Sequence, residues 1–345
     1  MRDFQMEWHD NPCTYPEWGS NPRGPLIRCD MAHQGELMDS TVGPDVLTGK
    51  PMVYHIVRCE LCIFSHIWPL PREVALAEYY RTHFYQIDKH DMVKRYEEDR
   101  QWWEYCIHGP ILHTVHGFLS QESDITPLRM LDVGAGVGIA LDVAQHQYGW
   151  ETWGLEPNEE QCEALALRQH KMVCGTLVDA CENIQLPKFH CVYMYETLEH
   201  LLSPDDTLLQ IYDILEPDGI VVVVVPQEYN KLQLAACAQL GLPHYWLAPP
   251  IHVNYFSPKT LQLLLRRTGF RILDCRATYP MEQFLLKGRN YVGNDALGRL
   301  CHKERMAEEL ASVQNGTWRD REQEYRDNLT ERIGREMIFI GRRLG

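Results

Sequence analysis

The stretch LDVGAGVG, Leu131 to Gly138, governs how the rest of the chain is read. Residues Arg129 to Val133 read as a strand that ends on Gly134-x-Gly136-x-Gly138, and the pattern from Ile139 to Gln147 is helical. A strand that stops on glycines before a helix is a backbone built to turn sharply and let a ligand approach closely. Eighteen residues past Gly138, Glu156 follows a second strand, Thr152 to Leu155. An acid there can accept hydrogen bonds from two ribose hydroxyls, so loop and acid together point to a nucleoside-bearing cofactor. The third glycine falls one residue too early for the G-x-G-x-x-G dinucleotide fingerprint, whose helix N-terminus carries a pyrophosphate. Asp132, two residues before Gly134, puts a carboxylate where a pyrophosphate would be repelled.

Working outward, strands and helices alternate. Strands are expected at Met172 to Cys174, Cys191 to Tyr195, Ile220 to Val225 and Phe270 to Cys275, with helices after Asn158 and at Asp205 to Leu215 and Pro258 to Thr268. Asn158 can cap its helix, and Glu159 and Glu160 suit the positive end of that helix. Alternation of this kind predicts an α/β fold, a mostly parallel sheet with helices on both faces. Residues 281–333 read as a helical insertion before a last apolar strand, Glu336 to Ile340. Upstream, residues 1–50 are rich in Pro, Gly and Trp and lack periodicity. A short strand, Met52 to Val57, then leads into Cys59-x-x-Cys62, and Pro71 to Leu119 is helical, with a break expected at Gly109-Pro110. Ser120 to Pro127 reads as a linker, which divides the chain into 1–119 and 128–345.

The glycine stretch resembles the first motif of class I S-adenosylmethionine (SAM) dependent methyltransferases. Matching segments follow in order: Asp179-Ala180, YETLEHL (Tyr195 to Leu201), LEPDG (Leu215 to Gly219) and HVNYFSPKTLQLLLRRTGF (His252 to Phe270). The resemblance implies a Rossmann-like seven-stranded sheet. It also implies a SAM site formed by Asp132, Gly134, Ala135, Gly136, Gly138, Glu156, Pro157, Asp179, Ala180 and Tyr195, with the Asp179-Ala180 pair at the adenine ring. His190 stands where many relatives carry an aspartate opening the fourth strand, a structural position.

Methyl transfer needs the acceptor in line with the sulfonium and, for some acceptors, a general base. The acceptor in such a fold lies beyond the strand C-termini, so His200 and His252 are the candidate bases, each weighed against a plain packing role. Glu196 and Glu199 beside His200 would also suit a metal, a reading secondary to catalysis. At the N-terminal end, Cys59 and Cys62 have zinc-knuckle spacing, and Cys29 and His33 could complete a tetrahedral set. Ile63 occupies the position where a knuckle often has glycine. The segment Arg58 to Tyr80 resembles the cysteine-bearing, zinc-ribbon-like region ahead of deoxysugar C-methyltransferases and related polysaccharide-cluster enzymes. The resemblance implies a zinc, a sugar or nucleotide-sugar acceptor, and a reach of Tyr79 or Tyr80 toward it. In those enzymes a Glu-His pair precedes Tyr-Phe-Ser. Here His252 matches the histidine, and Ile251 replaces the glutamate.

Composition narrows the partners. The 345 residues carry 33 Lys and Arg against 48 Asp and Glu, a formal charge of -15 that repels phosphate backbones and disfavours a nucleic-acid acceptor. The N-terminus has neither the basic nor the apolar part of a signal peptide, and no apolar run reaches membrane-spanning length. Twelve scattered cysteines without such a signal fit cytoplasmic thiols better than a disulfide framework. A small-molecule or sugar acceptor with no membrane partner is the expectation. A nicotinamide-dependent oxidoreductase and a non-catalytic SAM-fold module are the alternatives.

Overall fold

A computed structural model of the chain describes residues 26–28, 34–59, 61–88, 92–120 and 127–344. Its strands are β1 (Leu26–Arg28), β2 (Gln34–Pro44), β3 (Pro51–Cys59), β4 (Ser65–Trp68), β5 (Arg129–Val133) and β6 (Glu151–Glu156). They continue with β7 (Lys171–Cys174), β8 (Phe189–Tyr195), β9 (Leu215–Pro226), β10 (Asn254–Tyr255), β11 (Phe270–Ala277) and β12 (Glu336–Arg343).

Seven of these form one sheet in the order β7-β6-β5-β8-β9-β12-β11. The five strands β5 to β9 are parallel, and β12 runs antiparallel between β9 and β11. This is the Rossmann-like, mostly parallel sheet that the strand–helix alternation implies. The run Ile220 to Val225 in β9 is buried on both faces, as a central parallel strand requires. Val221, Val223 and Val225 pack with Leu208, Ile211, Leu261 and Leu264 from the helices Pro204–Ile214 and Pro258–Arg267. Ile220, Val222 and Val224 pack on the other face against Ile111, Leu112, Ile139 and Leu141 from Gly109–Leu119 and Ile139–Tyr148. Strand order reverses between β5 and β8, and the crevice past their C-terminal ends is the place where such sheets hold ligands.

Gly109-Pro110 does not break the helix. Arg100–Trp102, a π-wound stretch Trp103–His108 and Gly109–Leu119 run on as consecutive helical turns. Pro110 falls in the first turn of the last piece, where its missing N–H costs nothing, and the wider winding just before it absorbs the ring.

The N-terminal strands make a second, antiparallel sheet, β1-β2-β3-β4-β10. Its edge strand β10 comes from far downstream, pairing Asn254 with His66 and Tyr255 with Ser65. Tyr54, Ile56 and Ile67 share a core with Trp246, Val253 and Tyr255. The two regions on either side of residues 120–127 therefore share both a sheet and a core. Residues 1–25 and most of the expected linker lie outside the described residues.

Between β11 and β12 stand the helices Gln283–Leu286, Asp295–Gln314 and Trp318–Glu331. Glu309, fully buried, ties them down, accepting hydrogen bonds from Trp102 Nε1 (2.8 Å), Arg305 Nε (3.0 Å) and the Tyr325 hydroxyl. Removing one partner from such a buried charged cluster leaves the others unpaired, which is costly. No helix among the described residues is long and apolar enough to cross a membrane.

Candidate active site

The glycine loop closes by local hydrogen bonds. The Gly134 and Ala135 amides both donate to the Leu155 carbonyl, at 2.8 and 3.1 Å, and so tie the loop to the end of β6. Gly134 and Gly138 have φ of 77° and 72°. A Cβ on Gly134 would stand 2.6 Å from Thr197 Oγ1, and one on Gly138 would stand 2.2 Å from Leu165. Both positions need glycine for conformation and for space.

Glu156 ends β6 with its carboxylate turned to the loop, accepting from the Gly136 amide (2.9 Å) and the Asn158 amide (3.1 Å). Asn158 caps the next helix through the Gln161 amide at 3.0 Å. Asp132 is 3% exposed, and its Oδ1 has no hydrogen-bond partner among the described residues. Burial, and then the nearby Glu156 charge, push its carboxyl up to about 8.

Past β8 the chain turns sharply. Glu196 has φ of 49°, an uncommon conformation for a side-chain-bearing residue and one that clusters at functional sites. A 3-10 turn, Leu198–His200, follows. Glu199 is 1% exposed, and burial, then the Glu196 carboxylate, hold its carboxyl well above the usual range. His200 Nδ1 lies 2.9 Å from the Ile251 carbonyl, and the Tyr80 hydroxyl reaches the same oxygen at 3.4 Å. The Tyr80 ring sits edge-on to His200, with centroids 5.7 Å apart.

His252 sits beside His200, the ring centroids 5.1 Å apart. Its Nδ1 is 2.8 Å from Oε1 of Glu228, which is 7% exposed and lies just beyond β9. Glu228 was not among the residues that the sequence singled out. Its only signal there is its place after a central strand, at the crevice. Glu199, His200 and His252 each bring a ligand-type atom within 4.8 Å of the others, a set that could hold a cation. Glu196 is not part of it.

One cavity of about 740 Å³ unites these features. Its walls include Asp132, Gly134 to Gly138 and Tyr195 on one side and His200, Ile251 and His252 on the other. Glu156, Pro157, Asp179 and Ala180 lie off its surface. The Asp179 carboxylate closes a capping box with Thr176, and Ala180 is buried in the core. The roof comes from both ends of the chain. Trp102, Trp103 and His108 precede the sheet, and Arg299, His302 and Arg305 belong to the insertion. A two-pronged pair between Arg299 and Asp99, with Nη2 to Oδ1 at 2.7 Å, clasps the two parts of the roof. Tyr245, Trp246 and Tyr255 pack under the N-terminal sheet. His190 Nδ1 accepts the Arg129 amide at 2.9 Å, a structural role at the mouth of β5.

In the N-terminal sheet, Cys59, Cys62 and His66 bring two thiols and a ring nitrogen within 4.8 Å of one another. The Cys62 amide donates to Cys59 Sγ at 3.3 Å. Ile63 takes φ of 65°, so the turn forms without glycine. Cys29 and His33 lie outside the described residues.

A glycine loop with two acids, at the switch point of a doubly wound sheet, defines a Rossmann-like enzyme built around a nucleoside cofactor. The chain belongs to the methyltransferase-domain family, whose model matches residues 98–274, just over half of its 345 residues. It is a SAM-dependent methyltransferase, which sets aside the oxidoreductase and the non-catalytic module. The ubiquinone biosynthesis O-methyltransferase of Rickettsia canadensis is 23% identical over 207 residues, covering 55% of this chain and 86% of that protein. The tRNA U34 carboxymethyltransferase of Azotobacter vinelandii is 29% identical over 179 residues, covering 46% of this chain and 51% of its own length. Among solved structures, the plantazolicin methyltransferase BamL, in complex with a triazolic desmethylPZN analog and SAH, aligns with a TM-score of 0.49 and 11% identity, over 77% of this chain and 94% of that one.

Proposed function

We propose that the chain methylates a hydroxyl-bearing small molecule of the sugar or nucleotide-sugar class. SAM would lie on the glycine loop, and the acceptor against His252. The observation that carries this reading is the cavity with the loop in one wall and the two histidines in the other. A cavity of this size is ordinary for small ligands. Arg305 Nη2, a buried atom of the roof with no hydrogen-bond partner among the described residues, favours an acceptor that brings hydroxyl oxygens.

SAM brings an electrophilic methyl on a sulfonium. Around it, Gly134, Ala135, Gly136 and Gly138 would cradle the methionine end, and Asp132 would meet its positive charge. Tyr195 would flank it. Glu156, at the end of β6 beside the loop, would meet the ribose, and Pro157 shapes the same turn. The adenine edge is assigned to Asp179 and Ala180. In support, the Gly175 amide, just before their helix, donates to the Glu156 carbonyl at 3.0 Å. His252 would take the acceptor proton, with His200 beside it.

The N-terminal sheet would hold one structural zinc. Cys59 and Cys62 are ligands in this reading, joined by His66, and Cys29 or His33 would complete the set. Supporting it, Arg28 pairs with Gln34, and the adjoining Gly35 pairs with Cys59. Metal analysis of chelator-free protein should give about one zinc per chain, and stripping it should lower the melting temperature. A metal-free protein with unchanged melting would remove the zinc.

The acceptor class is tested with methyl-labelled SAM and a panel of free sugars, nucleotide-sugars, simple phenols and transfer RNA. Label on a sugar or nucleotide-sugar supports the proposal. Label on transfer RNA or a phenol alone overturns it.

A further inference from the structure

We propose that Glu228 is the positioning residue of the reaction: it fixes the tautomer of His252 and steadies the ring's charge once the ring has taken up a proton. The inference rests on the reading above that His252 serves the acceptor. The sequence pattern lacks an acid next to this histidine, because Ile251 stands there. In the fold, the Ile251 carbonyl turns instead to His200. The acid beside His252 comes from a different element, 24 residues earlier in the chain.

Glu228 is held rather than merely near. It lies between Gln227, whose amide donates to the Arg335 carbonyl at 2.8 Å, and Tyr229, which has φ of 56°. A tyrosine in that conformation persists only where its surroundings over-determine it. Asn230 supplies this restraint. Its side chain caps the helix Lys231–Leu240 and donates to the Gln227 carbonyl (3.0 Å) and the Gly334 carbonyl (3.1 Å). A strand end, a helix cap and the turn before β12 thus aim one carboxylate at one ring nitrogen.

The chemistry follows from the geometry. A carboxylate at Nδ1 requires the proton on that nitrogen, which leaves the Nε2 lone pair as the base. As the acceptor oxygen bonds to the methyl carbon, the carbon–sulfur bond breaks and its electron pair stays on sulfur. The hydroxyl proton passes to Nε2, and the resulting imidazolium faces the Glu228 carboxylate. The proton later leaves to water. Among the described residues, His200 and Glu199 from the turn after β8 also stand by the ring. Burial, and then the Glu196 carboxylate, raise the Glu199 carboxyl well above the usual range, which disfavours its charged form beside the ring.

The test is nitrogen NMR of the full chain labelled at histidine, with the His252 signal assigned by its loss in His252→Asn. In the unaltered chain the neutral ring should be the Nδ1–H tautomer. In Glu228→Gln, an isosteric change that keeps a hydrogen-bonding group in place, the His252 titration midpoint should fall by about one to three pH units, because a carboxylate favours the charged ring. Glu228→Asp should restore most of the difference. SAM affinity, measured calorimetrically on the same samples, should stay unchanged and reports that the variant is folded. An equal midpoint and tautomer in Glu228→Gln and the parent would overturn the assignment. So would a His252 signal that moves on dialysis against a chelator and returns with magnesium or zinc, since the cluster would then be a cation site. A failed acceptor panel with the expected NMR result would instead count against the sugar reading alone.

Discussion

The loop wall and the histidine wall of the cavity differ in how far apart in the chain their parts lie. Asp132, the three glycines and Glu156 all come from one strand–helix–strand unit, and their contacts are mostly backbone bonds within it. His252, Glu228, His200 and Tyr80 come from four separate segments. The first wall is built by local conformational rules and the second by packing. The comparison teaches that the glycine-loop wall can be read from a short stretch, whereas the histidine wall exists only once the sheet has folded and distant segments have come together.

The strongest way to break this comparison is at His252. His252→Ala should lower turnover by about 100-fold or more, the lower end of what general-base catalysis supplies, and leave SAM affinity within error. His252→Asn should be nearly as slow. Kinetics and calorimetry on the same protein separate the two effects, and a loss of SAM binding would merge the two walls into one.

A smaller effect belongs to the loop wall. Asp132 is pushed up to about 8, so in the free protein at pH 7 it is mostly protonated. A bound cation favours its carboxylate, so binding below that pH must release a proton. SAM affinity should therefore fall as pH falls below 8, by up to about tenfold per pH unit. The sign for stability is the opposite of a salt-bridged acid. A raised folded pKa costs stability as pH rises from the unfolded value toward 8, so Asp132→Asn should make the free protein more stable at neutral pH and flatten the pH dependence of binding. Calorimetry in buffers of different ionisation enthalpy reads the released proton, and none at pH 7 would contradict the role given to Asp132.

Smaller again is the conformational contribution of the loop itself. Gly138→Ala forces a side chain into the left-handed region at φ of 72°, which costs about 1–2 kcal/mol, and brings its Cβ against Leu165. Thermal unfolding should register it, and an unchanged melting temperature would mean that the loop can relax.

The same contrast explains what could be read from the chain. LDVGAGVG and Glu156 were legible because glycine and acid spacing fix a turn wherever it occurs, and Ile220 to Val225 because only a central strand buries six such residues. Gly109-Pro110 misled because π winding is not encoded by a residue type. Glu228 and His66 were invisible because nothing periodic links them to His252 or to Cys59. Strand β10 joining the N-terminal sheet escaped because the pairing spans 190 residues, from Ser65 to Tyr255.

Calorimetric titration of the full chain with SAM, alongside Glu156→Ala, is the most direct test of the central claim that the glycine loop and its acid hold the cofactor. Removal of a carboxylate hydrogen-bonded to the ribose is worth about 1.5–3 kcal/mol, so the variant should bind SAM at least about tenfold more weakly, and NAD should not bind either protein. Equal SAM affinity in the two proteins, or NAD binding that Glu156→Ala abolishes, would contradict it.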